Sequence, residues 1–314
     1  MSKNMNILVT GGLGHIGSKL IVELSKRKDV SKIVILDNLH TQRYCSLMNL
    51  PDNVKYRFIE GDVINENDLK NAIRNVDIII HLAAITNAPE TMKFPELTKK
   101  VNYDSVKMML EIAKKEGVKK FFFPSTTSVY GHAQGMIDES YTKCKPLTPY
   151  AEYKLKAEQE VIKANGNMKT CVARFGTVYG YSIGMRFHTA VNKFIFQAIN
   201  KQPITVWEDA LNQKRPYLDL EDSIRFIQFF MDNNDDDFFG RVYNVLTENT
   251  TVRNVINIIK KSAKDTEIKM TKNPILNQQS YEIGRSEIEK MGFTFKGNMD
   301  NGISETIKAF SSFI

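Results

Sequence analysis

The feature that most constrains this chain lies close to its amino terminus. A short apolar run, Asn6–Val9, ends in Thr10-Gly-Gly-Leu-Gly-His-Ile-Gly17, and helical spacing then follows over Gly14–Lys28. A glycine turn between a buried strand and a helix is the usual opening of a parallel sheet, in which each strand needs a crossover to reach the next. Gly11 permits the tight turn, Gly14 lets a ligand approach the backbone, and Gly17 lets the helix lie against the strand. The N–H groups of the first helical turn have no intrahelical partners and, with the helix dipole, favour an anion such as a diphosphate. A glycine triplet alone is an ordinary turn in many chains; its place at the start of an alternating pattern gives this one weight.

That pattern continues for half the chain. Asn6–Val9, Lys32–Leu36, Lys55–Ile59, Asp77–Leu82, Lys119–Phe123 and Lys169–Ala173 read as strands without polar alternation, as expected when both faces of a sheet are covered. Gly14–Lys28, Asn67–Asn75, Glu96–Glu116 and Tyr150–Asn165 carry helical spacing between them. The expected fold is α/β: a Rossmann doubly wound parallel sheet over residues 1–177, with a smaller C-terminal α/β substrate-binding lobe over 178–314. Segments near 215–232 and 241–246 are placed to return to the first domain. In the second lobe, helices are expected at Phe187–Asn200, Glu221–Asn233, Val252–Ala263 and Gly302–Phe310, and strands near Ile204–Val206 and Val242–Val245. Asp232–Asp237 reads as a solvated acidic loop.

Composition removes other classes. With 42% hydrophobic and 25% charged residues the 314-residue chain is neither disordered nor fibrous. Its apolar runs are too short to span a bilayer, and its N-terminus does not read as a signal peptide. Cys45, Cys144 and Cys171 are scattered and outside any CxxC pair, which argues for reduced thiols in a cytoplasm and against zinc or another metal. The net charge of +7 leaves open nucleic acid, an anionic surface or an anionic small molecule. No basic run is interleaved with stacking aromatics, so nucleic acid is not expected.

Asp37 ends the second expected strand, about 20 residues beyond the last glycine, where a carboxylate accepts both ribose hydroxyls of an adenosine and repels the extra phosphate of NADP. NAD is the favoured cofactor, with Arg43 the one nearby cation that keeps NADP in view. Asp62, at the end of the third strand, either meets the adenine edge or caps the next helix.

The sharpest chemical signal is Tyr150-Ala-Glu-Tyr-Lys154, which puts Tyr150 and Lys154 on one face of a helix. A tyrosine with its ordinary pKa near 10 is a poor base; the ammonium, with the positive nicotinamide ring of NAD, is expected to lower it. Such a tyrosine can take a hydroxyl proton while hydride leaves the same carbon. Taken alone, the pair is also a common surface motif. Pro124-Ser-Thr-Thr-Ser-Val-Tyr-Gly131 adds hydroxyls at the carboxyl end of the fifth strand, the edge at which open α/β sheets bind ligands.

At this point the chain resembles the extended short-chain dehydrogenase/reductases, specifically the NAD-dependent nucleotide-sugar epimerase/dehydratase group. The resemblance is carried by TGGLGHIG at 10–17, Asp37, Gly61-Asp62-Val63, His81-Leu-Ala-Ala84, Asn102, STTSVYG at 125–131, Tyr150 with Lys154, Arg174-Phe-Gly-Thr-Val-Tyr-Gly180 and Lys214–Asp222. It implies a tightly bound NAD, a nucleotide-diphosphate sugar as substrate and a homodimer. It implies Tyr150 as general base, Lys154 on the nicotinamide ribose and Thr126 as the catalytic hydroxyl. Gly11, Gly14, His15, Ile16, Asp37, Asn38, Asp62, Val63, Leu82, Ala83, Ala84 and Asn102 complete the implied cofactor site. Thr126, Thr127, Thr177, Arg186, Asn192 and Arg215 form the implied substrate site, with Arg215 on the diphosphate. Thr177 and Tyr181 stand where many relatives have Asn and Pro, which leaves the shape of the substrate loop open.

The shared first step in that family is oxidation at the sugar C4. Dehydratases then need an Asp-Glu pair directly after the catalytic Thr; here Thr127 and Ser128 stand there, arguing against a 4,6-dehydratase. Reductases that epimerise C3 and C5 use a Cys and a His, for which Cys144 and His188 are the available pair, and His132 and His188 read more simply as loop or helix residues. A 4-epimerase is the expected activity, with a 4-dehydrogenase that releases the keto sugar as the alternative. A catalytically silent Rossmann regulator would lack the Tyr–Lys pair or its hydroxyl.

Overall fold

The structure is a computed structural model that describes residues 4–272 and 280–310. Its strands are β1 Met5–Thr10, β2 Val30–Asp37, β3 Lys55–Glu60, β4 Ile78–His81, β5 Lys120–Thr126, β6 Gly135–Ile137 and β7 Lys169–Phe175. There follow β8 Thr177–Tyr179, β9 Ile204–Trp207, β10 Lys214–Asp219, β11 Arg241–Val245, β12 Glu248–Thr251, β13 Ile268–Thr271 and β14 Tyr281–Ile283. The helices are α1 His15–Ser25, α2 Glu66–Ile73, α3 Ala88–Thr91, α4 Pro95–Lys99, α5 Ser105–Lys115 and α6 Pro149–Lys163. They continue with α7 Ala190–Ile199, α8 Leu220–Asp232, α9 Val252–Ser262, α10 Ser286–Lys290 and α11 Met299–Ala309.

Seven strands form one parallel sheet in the order β11-β7-β5-β4-β1-β2-β3. The reason is visible in its middle strands: Ile7–Val9, Ile78–Ile80 and Phe121–Phe123 are buried on both faces, so helices must cover each side. Strand order reverses at β1, which pairs with β2 on one side (Ile7 with Ile33) and β4 on the other (Ile7 with Ile78). The crossovers from β1 and β4 therefore diverge and leave a crevice beyond their carboxyl ends.

The expected helix over Glu96–Glu116 is found, continuous but widened in its first half. Between α4 and α5 lies a π turn, Lys100–Asp104, which carries the buried Asn102. β11 pairs with β7, joining a late strand to the main sheet. Before it, α8 sets Phe226 and Phe230 against Phe122, with ring centroids 5.9 and 5.3 Å apart. Of the acidic stretch, Asp232 pairs with Arg27 and Asp236–Phe238 form a 3-10 turn begun by the Asp235 side chain. The rest of the second half builds a sheet β12-β10-β8 and the pairs β13-β9 and β14-β6, backed by α7, α9 and α11 around Val191, Ile195, Val255 and Ile303. Strands of three or four residues such as β6, β8 and β14 are too short to show a period, which is why the sequence does not mark them.

Phe226 sits where α8 meets the sheet, touching Phe122, Phe175 and Phe293. Phe226→Ala is expected to lower stability by about 3–5 kcal/mol in urea denaturation, with an unchanged far-ultraviolet spectrum at low denaturant.

Candidate active site

A cleft of about 620 Å³ runs along the carboxyl ends of β1, β2, β4 and β5 and is closed by residues of β8, β9, β10 and α7. The residues expected on cofactor and substrate line it, with two exceptions: Asn102 and Asn192.

At one end the glycine turn is shaped for a close ligand. Gly11 has a φ of +62°, and a Cβ there would lie 2.7 Å from the Ala83 amide nitrogen. A Cβ on Gly17 would lie 2.6 Å from Gly12 backbone. No side chain caps the start of α1, so its free N–H groups face the cleft. Asp37 accepts from the amides of Leu13 and Leu39 at 3.1 and 3.0 Å, which aims its carboxylate across the turn and leaves lone pairs for two ribose hydroxyls. Arg43 reaches the same turn: a guanidinium nitrogen is 3.8 Å from where a Gly14 Cβ would be, and the Asp37 carboxylate favours its charge. Asp62 accepts from the Asn38 amide at 2.9 Å, and the next helix is capped by Asn65, so of its two expected roles capping falls away. An uncapped helix N-terminus, a cradle that only glycine fits and an acid at the ribose position fit NAD.

His15 corrects one expectation. Its imidazole is turned into the protein, Nε2 meeting the Gly180 carbonyl at 2.7 Å, and burial beside Arg186 pushes its pKa down to about 3. Ser182 Oγ donates to the His15 carbonyl at 2.8 Å, and the Gly184 amide donates to Ser18 Oγ at 3.0 Å. The loop after β8 is thus locked onto the glycine turn, and what His15 can offer a cofactor is backbone N–H.

The catalytic set lies in the middle of the cleft. Thr148 caps α6, whose first turn carries Tyr150 and whose second carries Lys154. The Lys154 ammonium is 3% exposed; it donates to the Pro124 carbonyl at 2.8 Å and lies 4.4 Å from the centre of the Phe123 ring. Burial lowers its pKa to about 7, with the Glu158 carboxylate opposing. The Thr126 hydroxyl faces the Tyr150 side chain in the cleft and acts on its pKa. The expected depression of the tyrosine pKa by Lys154 is not found: burial raises it, while the charge of Arg186 and the Thr126 hydroxyl pull it down. Desolvation of the phenolate outweighs both, so without a further positive charge in the cleft Tyr150 is a phenol at neutral pH.

Toward the substrate end, Thr127, Ser128, Thr177, Arg186, His188, Lys193 and Arg215 line the walls, joined by Trp207 and Tyr281, which the sequence did not single out. Arg215 stacks over Tyr281, 5.3 Å from the ring centre. Thr86 and His188 meet across the mouth at 3.4 Å. Asn192 is fully buried, accepting from the Gly180 amide and donating to the Arg186 carbonyl, both at 3.2 Å. Asn102 clamps Ile85 through its amide and carbonyl, each at 2.9 Å. Both asparagines hold loops in place, and neither lines the cleft. Cys144 is outside the cleft, bonded to the Tyr141 carbonyl at 3.6 Å, so it does not pair with His188. Among the described residues, the only carboxylates lining the cleft are Asp37 and Asp62, both at the adenosine end.

A parallel sheet with a glycine turn, an acid after β2 and a Tyr–Lys helix defines a dinucleotide-dependent oxidoreductase site. Residues 7–245 match the NAD dependent epimerase/dehydratase family, and the chain belongs to it. An uncharacterised UDP-glucose epimerase of Bacillus subtilis is 32% identical over 231 residues, 71% of each chain. A trifunctional UDP-glucose 4,6-dehydratase, 3,5-epimerase and reductase of Arabidopsis thaliana is 29% identical over 97% of this chain, which spans 47% of it. The crystal structure of UDP-glucuronic acid 4-epimerase from Bacillus cereus, in complex with UDP-glucuronic acid and NAD, is similar with a TM-score of 0.89 and 25% identity, covering 99% of this chain and 100% of that one.

Two buried histidines set an acid limit. Burial holds His15 and His81 at about 3 instead of 6.5. Between those values the unfolded chain binds protons that the native chain does not, so stability falls as pH drops from 6.5 toward 3, by up to about 1.4 kcal/mol per pH unit for each histidine. Asp219, raised by burial to about 6, works in the opposite direction between about 4 and 6. Urea titrations across this range are expected to show the fall, and His81→Gln to make it shallower by one histidine's share.

Proposed function

We propose that the protein is a nucleotide-sugar 4-epimerase acting on a UDP-sugar. The observation that carries this is the distribution of acid and base along the cleft. Thr126, Tyr150 and Lys154 converge at its centre, and among the described residues no carboxylate lines the cleft beside them. The C4 hydroxyl can be deprotonated there, but no acid is present to remove a proton from C5 and expel the C6 oxygen, which speaks against dehydration. The names of the Bacillus relatives, two 4-position or UDP-glucose epimerases, support the same reading.

Each role follows from placement. Tyr150 takes the proton of the C4 hydroxyl and returns it, with Thr126 sharing that hydrogen bond. Lys154, held by the Pro124 carbonyl, presents its ammonium to the nicotinamide ribose. Gly11, Gly14, the α1 N-terminus and Arg43 would hold the NAD diphosphate, Asp37 and Asn38 its adenosine ribose, and Asp62, Val63 and Leu82–Ala84 the rest. When bound, that cofactor accepts hydride from C4 and gives it back. Arg215, with Lys193, would hold the substrate diphosphate, and Trp207 and Tyr281 flank it. Thr127, Ser128, Thr177 and Arg186 surround the sugar with hydroxyls and one cation, a lining that suits an oxygen-rich or anionic C5 substituent.

No helix of the described residues is long and apolar enough to cross a membrane; the same reading places the enzyme in the cytoplasm as a homodimer, which would sediment at twice the chain mass.

Purified protein is expected to interconvert at least one pair of C4 epimers from a panel of UDP-glucose, UDP-glucuronic acid and UDP-N-acetylglucosamine, read by proton NMR. Tyr150→Phe should reduce turnover on the order of 10²–10⁴-fold while leaving cofactor bound. Wild-type turnover in that variant, or a released ketone as the only product, would count against the proposal.

A further inference from the structure

The face of α6 turned toward the sheet carries Tyr150, Lys154 and Glu158, each one helical turn from the last. The first two belong to the reacting set; the third does not line the cleft. Glu158 is 2% exposed, and its carboxylate accepts from Arg174 Nε at 3.0 Å, from Arg174 Nη2 at 2.7 Å and from the Ser125 hydroxyl. Arg174 is buried on β7, its guanidinium 4.8 Å from the centre of the Tyr130 ring. Ser125 lies in β5 between Pro124, whose carbonyl holds Lys154, and Thr126, which lines the cleft with Tyr150.

A buried ion pair is a poor device for stability, because desolvating both charges offsets most of their attraction. Its position offers another use. The ammonium of Lys154 lies over the ring of Phe123 and near the neutral imidazole of His81 on β4, and Tyr150 stands one turn before it on the same helix. Cys144, in the loop before α6, is kept a thiol by burial, and Arg174 on β7 stands behind Glu158. Glu158 is the one anion that favours the charged lysine.

We propose that Glu158 is a positioning residue for the reaction: its carboxylate keeps the Lys154 ammonium charged, and through Ser125 it fixes the β5 segment that holds both Lys154 and Thr126. This rests on the reading of Tyr150, Thr126 and Lys154 as the reacting set.

The test compares Glu158→Gln with Arg174→Gln, two variants that break the same ion pair. Turnover is measured across the neutral and alkaline range, and the charge state of Lys154 is followed by NMR of protein labelled at lysine Cε, assigned with Lys154→Met. Glu158→Gln keeps the shape and loses the charge; the alkaline limb and the Lys154 resonance are expected to move to lower pH by about one unit or more. Arg174→Gln keeps the carboxylate, and both readouts stay in place or move up. A merely structural pair would make the two variants respond alike. A shift in the same direction in both, or none in Glu158→Gln, overturns the proposal. Should a single variant not fold, the double variant leaves no unpaired buried charge; a Lys154 resonance titrating there as in the wild type overturns the proposal equally. If instead the resonance shifts as expected while Tyr150→Phe turns over normally, it is the assignment of the reacting set that fails.

Discussion

Lys154 is a charge held where charge is disfavoured, and much of the structure is arranged around keeping it there. Its ammonium is closed in by β4, β5 and its own helix, and burial brings its pKa down to about 7 even with the carboxylate of Glu158 opposing. Three features oppose that: the Pro124 carbonyl, the face of Phe123 and the carboxylate of Glu158. None is available unless α6 packs across the carboxyl ends of β5 and β7, and that packing depends on a parallel sheet with both faces covered. The same helix then has no freedom to put Tyr150 anywhere but beside Thr126.

The cleft divides its charges by task. Its two carboxylates sit at the adenosine end, Arg43 lies over the glycine turn, and Arg186, Lys193 and Arg215 line the other end. This suits two diphosphate-bearing ligands laid end to end, and it leaves the centre free of acids. A net charge of +7 carries no such information; the positions do. The lock between the loop after β8 and the glycine turn, through His15, Ser182 and Gly184, ties both ends into one frame. That frame is why a histidine resembling a cofactor contact serves instead as a buried, neutral strut.

The first half of the fold was legible because strands buried on both faces are continuous apolar runs, and because glycine, acid and Tyr–Lys signals fall at fixed places along them. The second half was less so. β6, β8 and β14 have three residues each, and Trp207 and Tyr281 reach the cleft only through pairings that no local pattern encodes. Asn102 and Asn192 show a different limit: the sequence marked them as polar residues at the site, but whether an amide clamps Ile85 or touches a ligand depends on a π turn that appears only in three dimensions. The expected lowering of the Tyr150 pKa failed for a related reason, since spacing shows which charge is near but not how much water has been removed.

If Tyr150 and one returned hydride invert C4, the other sugar carbons are left alone. Turnover of an accepted UDP-sugar in deuterium oxide tests this most directly, with the product read by proton NMR. The expected product is the C4 epimer with hydrogen, not deuterium, retained at C4, and no deuterium at C3 or C5. Deuterium at C4, or at the carbons beside it, would contradict it.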